Sequence, residues 1–235
     1  MAAHSEQRAE QKATTIPCRL IVVGGHTRSI GKTQLVCDMI AALPAANWIA
    51  GKITQYGHGV CATNGHNCDC APTEHIVALD WEAAASETDS GRFLRAGAAK
   101  SFWLRTKQGY LAEGMPVLRE ALNNAWKLLD TTALSVIVES NSLLQFVKPS
   151  LYVSVLDPQR EDFKDSAQRI LDRADLFVFR RGLEDEAIAH PGWLQLPSSL
   201  LRQKPWLLQR EGDPLPEPLF QRIKTILESP ASVSL

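Results

Sequence analysis

The sequence predicts an α/β fold: a mainly parallel β-sheet flanked by helices on both faces, in a three-layer α/β/α arrangement. Three observations predict it. Short, largely apolar runs at residues 20–23, 135–138, 151–156 and 176–179 lack the polar alternation of a strand with one wet face. Amphipathic stretches with helical spacing alternate with such runs. The first run ends in Gly24-Gly25, and a polar loop then leads through Gly31-Lys32-Thr33 into a helical pattern.

Taken in order, residues 1–16 are polar and Ala/Gln-rich, a loose tail ahead of a single domain at 17–235. After the strand at 20–23, Lys32, Leu35, Val36, Met39, Ile40 and Leu43 keep three-four spacing, and Pro44 stops the helix. Residues 48–53 read as the next strand. Residues 56–75 form an insertion full of Gly, His, Cys and Asn, too long for a plain connection. Residues 76–81 and 99–105 are short strands, and 115–129 is a helix with Leu118, Ala121, Leu122, Ala125 and Leu129 on one face. Three strands follow at 135–138, 151–156 and 176–179, with a helix at 162–173 between the last two. A short apolar run at 206–208 and a helix at 217–227 finish the domain. In such a sheet, ligands gather at the carboxyl ends of the strands.

Composition narrows the function. A chain of 235 residues that is 45% hydrophobic can bury a substantial core. A net charge of −1 gives no electrostatic pull toward nucleic acid or an anionic membrane. No apolar run reaches transmembrane length and no signal-peptide core is visible, so no membrane partner is expected. Five cysteines, an odd number in an uncrowded chain, suit a reducing cytoplasm.

A strand, a Gly-rich turn and a helix N-terminus together form a phosphate-binding loop. The expected nucleotide-binding residues are Gly25, His26, Thr27, Arg28, Ser29, Ile30, Gly31, Lys32, Thr33 and Gln34. Backbone amides cradle the phosphates, Lys32 reaches the β- and γ-oxygens, and Thr33 places its hydroxyl on Mg²⁺. The nucleotide is ATP or GTP, and the fold is that of a P-loop NTPase. A Gly-rich turn capping an ordinary helix is the plainer alternative. His26 stands where the common spacing asks for glycine, so the loop is Gly-x5-Gly-Lys-Thr from Gly25.

Polar groups follow the other strands. Lys52 is a candidate catalytic residue with Lys32, binding the γ-phosphate or a substrate carboxylate; otherwise it is a surface lysine. Glu139 ends a buried strand, where a carboxylate is costly unless a site solvates or pairs it. It is the third catalytic candidate, holding Mg²⁺ through water or orienting an attacking group. Arg180 or Arg181 stacks on a base or touches phosphate, or caps a solvated strand end. Asp38 is expected on the surface, and Cys18 and Cys37 in the core.

The insertion holds three of the five cysteines and three of the six histidines within 58–75. Cys61, Cys68 and Cys70 are candidate thiolate ligands of Zn²⁺ or an iron–sulfur cluster, with His58, His66 or His75 as a fourth. Cys-x6-Cys-x-Cys is no standard finger or ferredoxin spacing, and reactive thiols are the alternative. Three thiolates per chain can also meet their copies across a homodimer axis.

The stretch from Gly25 to Thr33 has the length of the phosphate loop of dethiobiotin synthetase-like enzymes. Trp48-Ile49-Ala50-Gly51-Lys52-Ile53-Thr54-Gln55 resembles their second strand, which ends in a functional lysine. Val136-Ile137-Val138-Glu139 is similar to their strand closing on a magnesium-linked glutamate. These traits belong to the SIMIBI class of P-loop NTPases. Asp89-Ser90-Gly91-Arg92-Phe93-Leu94-Arg95-Ala96-Gly97-Ala98 resembles a segment of the molybdopterin-guanine dinucleotide biosynthesis protein B family. Both relatives usually carry glycine after the glutamate, where this chain has Ser140-Asn141-Ser142. The Asn-Lys-x-Asp guanine reader is replaced by Arg180-Arg181-Gly182.

The resemblances imply a nucleotide-hydrolysing accessory protein of metal- or pterin-cofactor biosynthesis, delivering to a cofactor-receiving enzyme. The alternative they imply is phosphoryl transfer to a small acidic substrate, with Lys52 activating it. A binding-only relative that has lost catalysis is a third reading.

Overall fold

The computed structural model describes residues 16–57, 76–180 and 198–234. Residues 1–15 of the expected tail, the Cys/His-rich stretch 58–75 with Cys61, Cys68 and Cys70, and Arg181 therefore lie outside the described residues. Ile16, expected in the tail, is instead fully buried in the core, because it joins Cys18 and Leu20 in one apolar cluster. Strand β1 (Pro17–Gly25) runs up the middle of the sheet and is longer than its apolar centre predicts. The loop then delivers the chain into helix α1 (Lys32–Ala42), which stops just before Pro44, as expected. Strand β2 (Ile49–Tyr56) follows, then β3 (Val77–Trp81), helix α2 (Asp89–Arg95) and β4 (Lys100–Lys107). The second half comprises α3 (Leu111–Leu129), β5 (Leu134–Glu139), β6 (Leu151–Leu156), the single turn α4 (Asp165–Gln168) and β7 (Leu176–Phe179). After it come α5 (Ser198–Gln203), β8 (Trp206–Leu208), α6 (Glu217–Glu228) and β9 (Val233–Ser234).

The sheet order is β3-β4-β2-β5-β1-β6-β7-β8, with β9 joining β1. Every neighbouring pair along that path is parallel except the β3–β4 edge. The antiparallel β9 pairs with Pro17 and Cys18, below the point where β6 begins opposite Ile21.

Residues alternate between the two faces of β1. Leu20 and Val22 join Leu118, Leu122 and Ala125 of α3 in one buried cluster. Ile21 and Val23 join Leu35, Val36, Met39 and Ile40 of α1, Phe93 of α2, and Leu219 and Ile223 of α6 in the other. Helices therefore cover both faces, as apolar strands require, and each buried aliphatic side chain stabilises by ~1.5–3 kcal/mol. Among the described residues no helix is long and apolar enough to cross a membrane.

Two element assignments need correction. Residues 162–173 do not form one helix; they give the short α4 and a 3-10 turn at Leu171–Arg173. Tertiary contacts override the helical spacing there. The Lys164 amide donates to the His26 carbonyl at 3.1 Å, and Thr27 donates to the Asp162 carboxylate, so the segment is tied to the phosphate loop. Helix α3 begins at Leu111, four residues before the predicted start, with Pro116 inside it. Burial of Leu111 beside Leu118, two turns apart on one face, brings in the extra turn despite the bond Pro116 cannot donate.

Register sets up the site. Glu139 lies opposite Val23 of β1 on one side and Lys52 of β2 on the other. Parallel strands thus carry the phosphate loop, the lysine and the glutamate to the same end of the sheet.

Candidate functional site

The loop from Gly25 to Thr33 turns through two left-handed residues, Ser29 at φ 54° and Gly31 at φ 85°. Gly31 is the N-cap of α1, and its carbonyl accepts the first helical bond from the Leu35 amide at 3.0 Å. No acidic residue sits in the first turn of α1, so the positive end of the helix dipole stays available to an anion. Arg28 and Ser29 are exposed and Ile30 is buried.

His26 is fully buried, with its ring 5.1 Å from that of Phe163. Burial pushes its pKa down to about 4, so it is neutral at pH 7. Its side chain therefore packs the loop against the segment before α4, which explains how a bulky residue replaces the usual glycine. Thr27 is buried as well.

The Lys32 ammonium donates to the Thr27 carbonyl across the loop. Burial pulls its pKa down to about 8, against the opposing pull of Glu139. The Thr33 hydroxyl donates to Glu139 Oε2 at 2.7 Å. Glu139 Oε1 lies 3.5 Å from Lys52 Nζ, and Lys52 donates to the Asp89 carboxylate. Burial alone would lower the Lys52 pKa, but Glu139 and Asp89 outweigh it and hold the group above its ordinary value. Burial likewise works to raise Asp89, but Lys52, Thr33 and Arg92 keep it below the usual carboxylate range.

Lys32, Thr33, Lys52 and Glu139, predicted separately, thus converge at one place. Asp89 completes the group, although sequence reasoning met it only as part of a resemblance. Its placement follows from the N-cap of α2, where the Thr88 hydroxyl accepts from the Gly91 amide at 3.0 Å.

Asn141 was also missed. Its Oδ1 accepts from the Gly25 amide at 2.9 Å and its Nδ2 donates to the Gly25 carbonyl at 2.8 Å. A Cβ at Gly24 would collide with the same amide oxygen, so glycine there is a requirement of close approach. The Ser140-Asn141-Ser142 departure is therefore a clamp on the start of the loop.

Arg180 is buried at 9% exposure beside the other end of the loop. A Cβ placed on Gly31 would lie 2.7 Å from Arg180 Nε, so the guanidinium rests on that glycine. Arg180 Nη1 donates to Gln209 Oε1 at 2.8 Å, and Gln209 Nε2 donates to Asp38 Oδ2 at 2.8 Å. Asp38 is half-buried rather than a plain surface residue, and it also accepts from Gln34 at 2.8 Å. Gln34 in turn accepts from Arg92 at 2.7 Å.

Among the described residues no group of three or more His, Cys, Asp or Glu side chains would hold a metal ion. The Thr33 hydroxyl and the Glu139 carboxylate are nevertheless the hard oxygen donors that suit Mg²⁺, which completes its shell with water and phosphate. Cys18 and Cys37 are buried free thiols, raised by burial to about 12 and about 11. They are core residues, as expected.

The three-layer sheet with this loop between β1 and α1 is the P-loop NTPase fold. No family model and no curated protein matches the chain. A solved structure, HypB from Helicobacter pylori in complex with nickel, is similar at a TM-score of 0.44 with 12% identity, covering 90% of this chain and 85% of that one. A likeness of that size carries no argument about ligand or activity.

Proposed function

We propose that the protein binds and hydrolyses ATP or GTP with Mg²⁺, and works as an accessory protein of metal- or pterin-cofactor biosynthesis. The observation that carries the nucleotide reading is the contact between Thr33 and Glu139 at 2.7 Å, next to the Lys32 loop and with Lys52 3.5 Å from the same carboxylate. A hydroxyl at the helix start, a strand-end carboxylate and a loop lysine are the parts phosphoryl chemistry needs. Phosphate oxygens entering the loop replace the Thr27 carbonyl as acceptors for Lys32. Thr33 and Glu139 would hold Mg²⁺, which when bound offsets charge on the β- and γ-oxygens.

The accessory role rests on the Cys/His insertion expected at residues 56–75, which follows the Lys52 strand β2 in the chain. In this reading Cys61, Cys68 and Cys70 bind Zn²⁺ or an iron–sulfur cluster in a homodimer, and a cofactor-receiving enzyme is the partner. The phosphoryl-transfer alternative draws less support, because Lys52 is committed to Asp89 and Glu139 rather than turned toward a substrate carboxylate.

Titration with ATP and GTP in the presence of Mg²⁺ tests the nucleotide reading. Lys32→Ala is expected to weaken both by about 2–3 kcal/mol, roughly 30–150-fold in Kd. Unchanged affinity in that variant removes the reading. Anaerobic purification should yield bound metal that disappears when Cys61, Cys68 and Cys70 become Ala, and a colourless, metal-free wild type overturns the metal part alone.

A further inference from the structure

We infer that Gln209 is a positioning residue that holds Arg180 against the phosphate loop, so that its guanidinium binds a nucleotide phosphate; this rests on the nucleotide reading above. Gln209 is completely buried at the end of β8. Its own amide donates to the Phe179 carbonyl at 2.9 Å, which fixes it beside Arg180. Its side-chain oxygen accepts from Arg180 Nη1 at 2.8 Å. Its side-chain nitrogen donates to Asp38 Oδ2 at 2.8 Å and to the Asp213 carbonyl at 3.3 Å. Each end of the amide is used, so its orientation is determined by its neighbours.

Burial without a paired carboxylate sets Arg180 apart. Among the described residues, Lys52, Arg92, Arg95, Arg105, Arg222 and Lys224 each face a carboxylate, while Arg180, like the more exposed Arg19 and Arg173, makes no ion pair. It is nonetheless nine-tenths buried. A buried guanidinium with a neutral amide as its fixed partner is an expensive arrangement unless an anion completes it. Its Nε edge lies over Gly31, at the N-terminus of α1, where the helix dipole and the loop amides already favour an anion. A phosphate oxygen matches the planar donor fork of arginine better than the rest of a nucleotide does. Asp38 acts at one remove: it holds Gln209, and Gln209 holds the arginine.

A double-mutant cycle on the full chain tests this. Gln209→Met keeps the bulk and removes the hydrogen bonds. It is expected to raise the Kd for Mg-ATP and Mg-GTP about tenfold, and to change the Kd by less than about twofold when added to Arg180→Gln. Asp38→Ala, on the half-exposed side of α1, reaches the same linkage without touching the buried amide and is expected to raise the Kd by about threefold. The salt dependence of binding should weaken in Arg180→Gln and in Gln209→Met alike, a readout that a loss of stability alone would not move. Two outcomes overturn the assignment while leaving nucleotide binding intact. One is a lower melting temperature with unchanged Kd in Gln209→Met and Asp38→Ala. The other is an equal loss from Gln209→Met in wild-type and Arg180→Gln backgrounds. If the wild type binds neither nucleotide, the nucleotide reading itself falls and takes this assignment with it.

Discussion

The two flanks of the phosphate loop solve the problem of buried charge in opposite ways. Toward β5 and β2, Lys52 sits between Asp89 and Glu139, and Thr33 supplies the second partner of Glu139. Toward β7 and β8, Arg180 is held by the neutral Gln209, with no carboxylate paired to it among the described residues. The first flank is balanced without a ligand, so a nucleotide has to re-sort contacts that already exist. The second is held in place by neutral partners, and under the inference above an anion completes it. In the proposed reading the first flank supplies the residues of phosphoryl chemistry once a nucleotide has re-sorted their contacts, and the second supplies a fixed contact for binding.

The sharpest way to break that division is Glu139→Gln. The change removes one of the two anions beside Lys52 and one oxygen donor for Mg²⁺. Hydrolysis is expected to fall about 10²–10³-fold, while Mg-free nucleotide binding changes by less than about threefold. Steady-state turnover with a parallel binding titration checks both halves. Turnover at the wild-type rate would remove the β5 flank from the chemistry.

That flank was also the more legible one in the sequence. Glu139 ends the apolar strand β5, and Lys52 breaks the apolar start of β2, so pattern alone pointed to both, although β2 runs on past Lys52 to Tyr56. Their partnership was not legible, because it depends on the register that sets Lys52 opposite Glu139. Asp89, Asn141 and Gln209 are polar residues in ordinary local surroundings, and distant contacts give them their roles. Asn141 reaches back 116 residues to Gly25. Gln209 meets Asp38 from 171 residues away. The same blindness explains the helix expected at 162–173, where local spacing was correct and attachment to the phosphate loop prevailed.

A smaller effect comes from Lys32, which lies between the flanks. Its folded pKa of about 8 is below the ordinary 10.5, so the folded state binds fewer protons than the unfolded chain between those values. Its charge therefore works against folding below pH 8, and that cost fades as pH rises toward 10.5. Phosphate reverses the balance by favouring the ammonium. Nucleotide binding is expected to take up a proton above pH 8, with affinity level below that pH and falling up to about tenfold per unit above it. Titrations in buffers of different ionisation enthalpy would detect the proton, and a flat affinity from pH 7 to 10 would contradict the assigned position of Lys32.

The smallest effect tests whether the β5 flank also governs the shape of the loop. Asn141→Ala deletes the two bonds to Gly25 and is expected to cost about 1–2 kcal/mol of stability, with about a threefold loss of nucleotide affinity. Asn141→Asp is the more telling change. One carboxylate oxygen still accepts from the Gly25 amide, but the other would face the Gly25 carbonyl, which is 2.8 Å from the nitrogen that now donates to it. At neutral pH the aspartate variant is therefore expected to be less stable than the alanine variant. Protonation would restore a donor, so the folded-state pKa of that aspartic acid should lie above the unfolded value. The variant's deficit should then shrink as pH falls through the folded pKa, opposite to the behaviour of Asp89. Thermal melts of both variants between pH 4 and pH 8 would show the crossing. Parallel curves would mean that Asn141 fills space at the start of the loop without holding it by the amide.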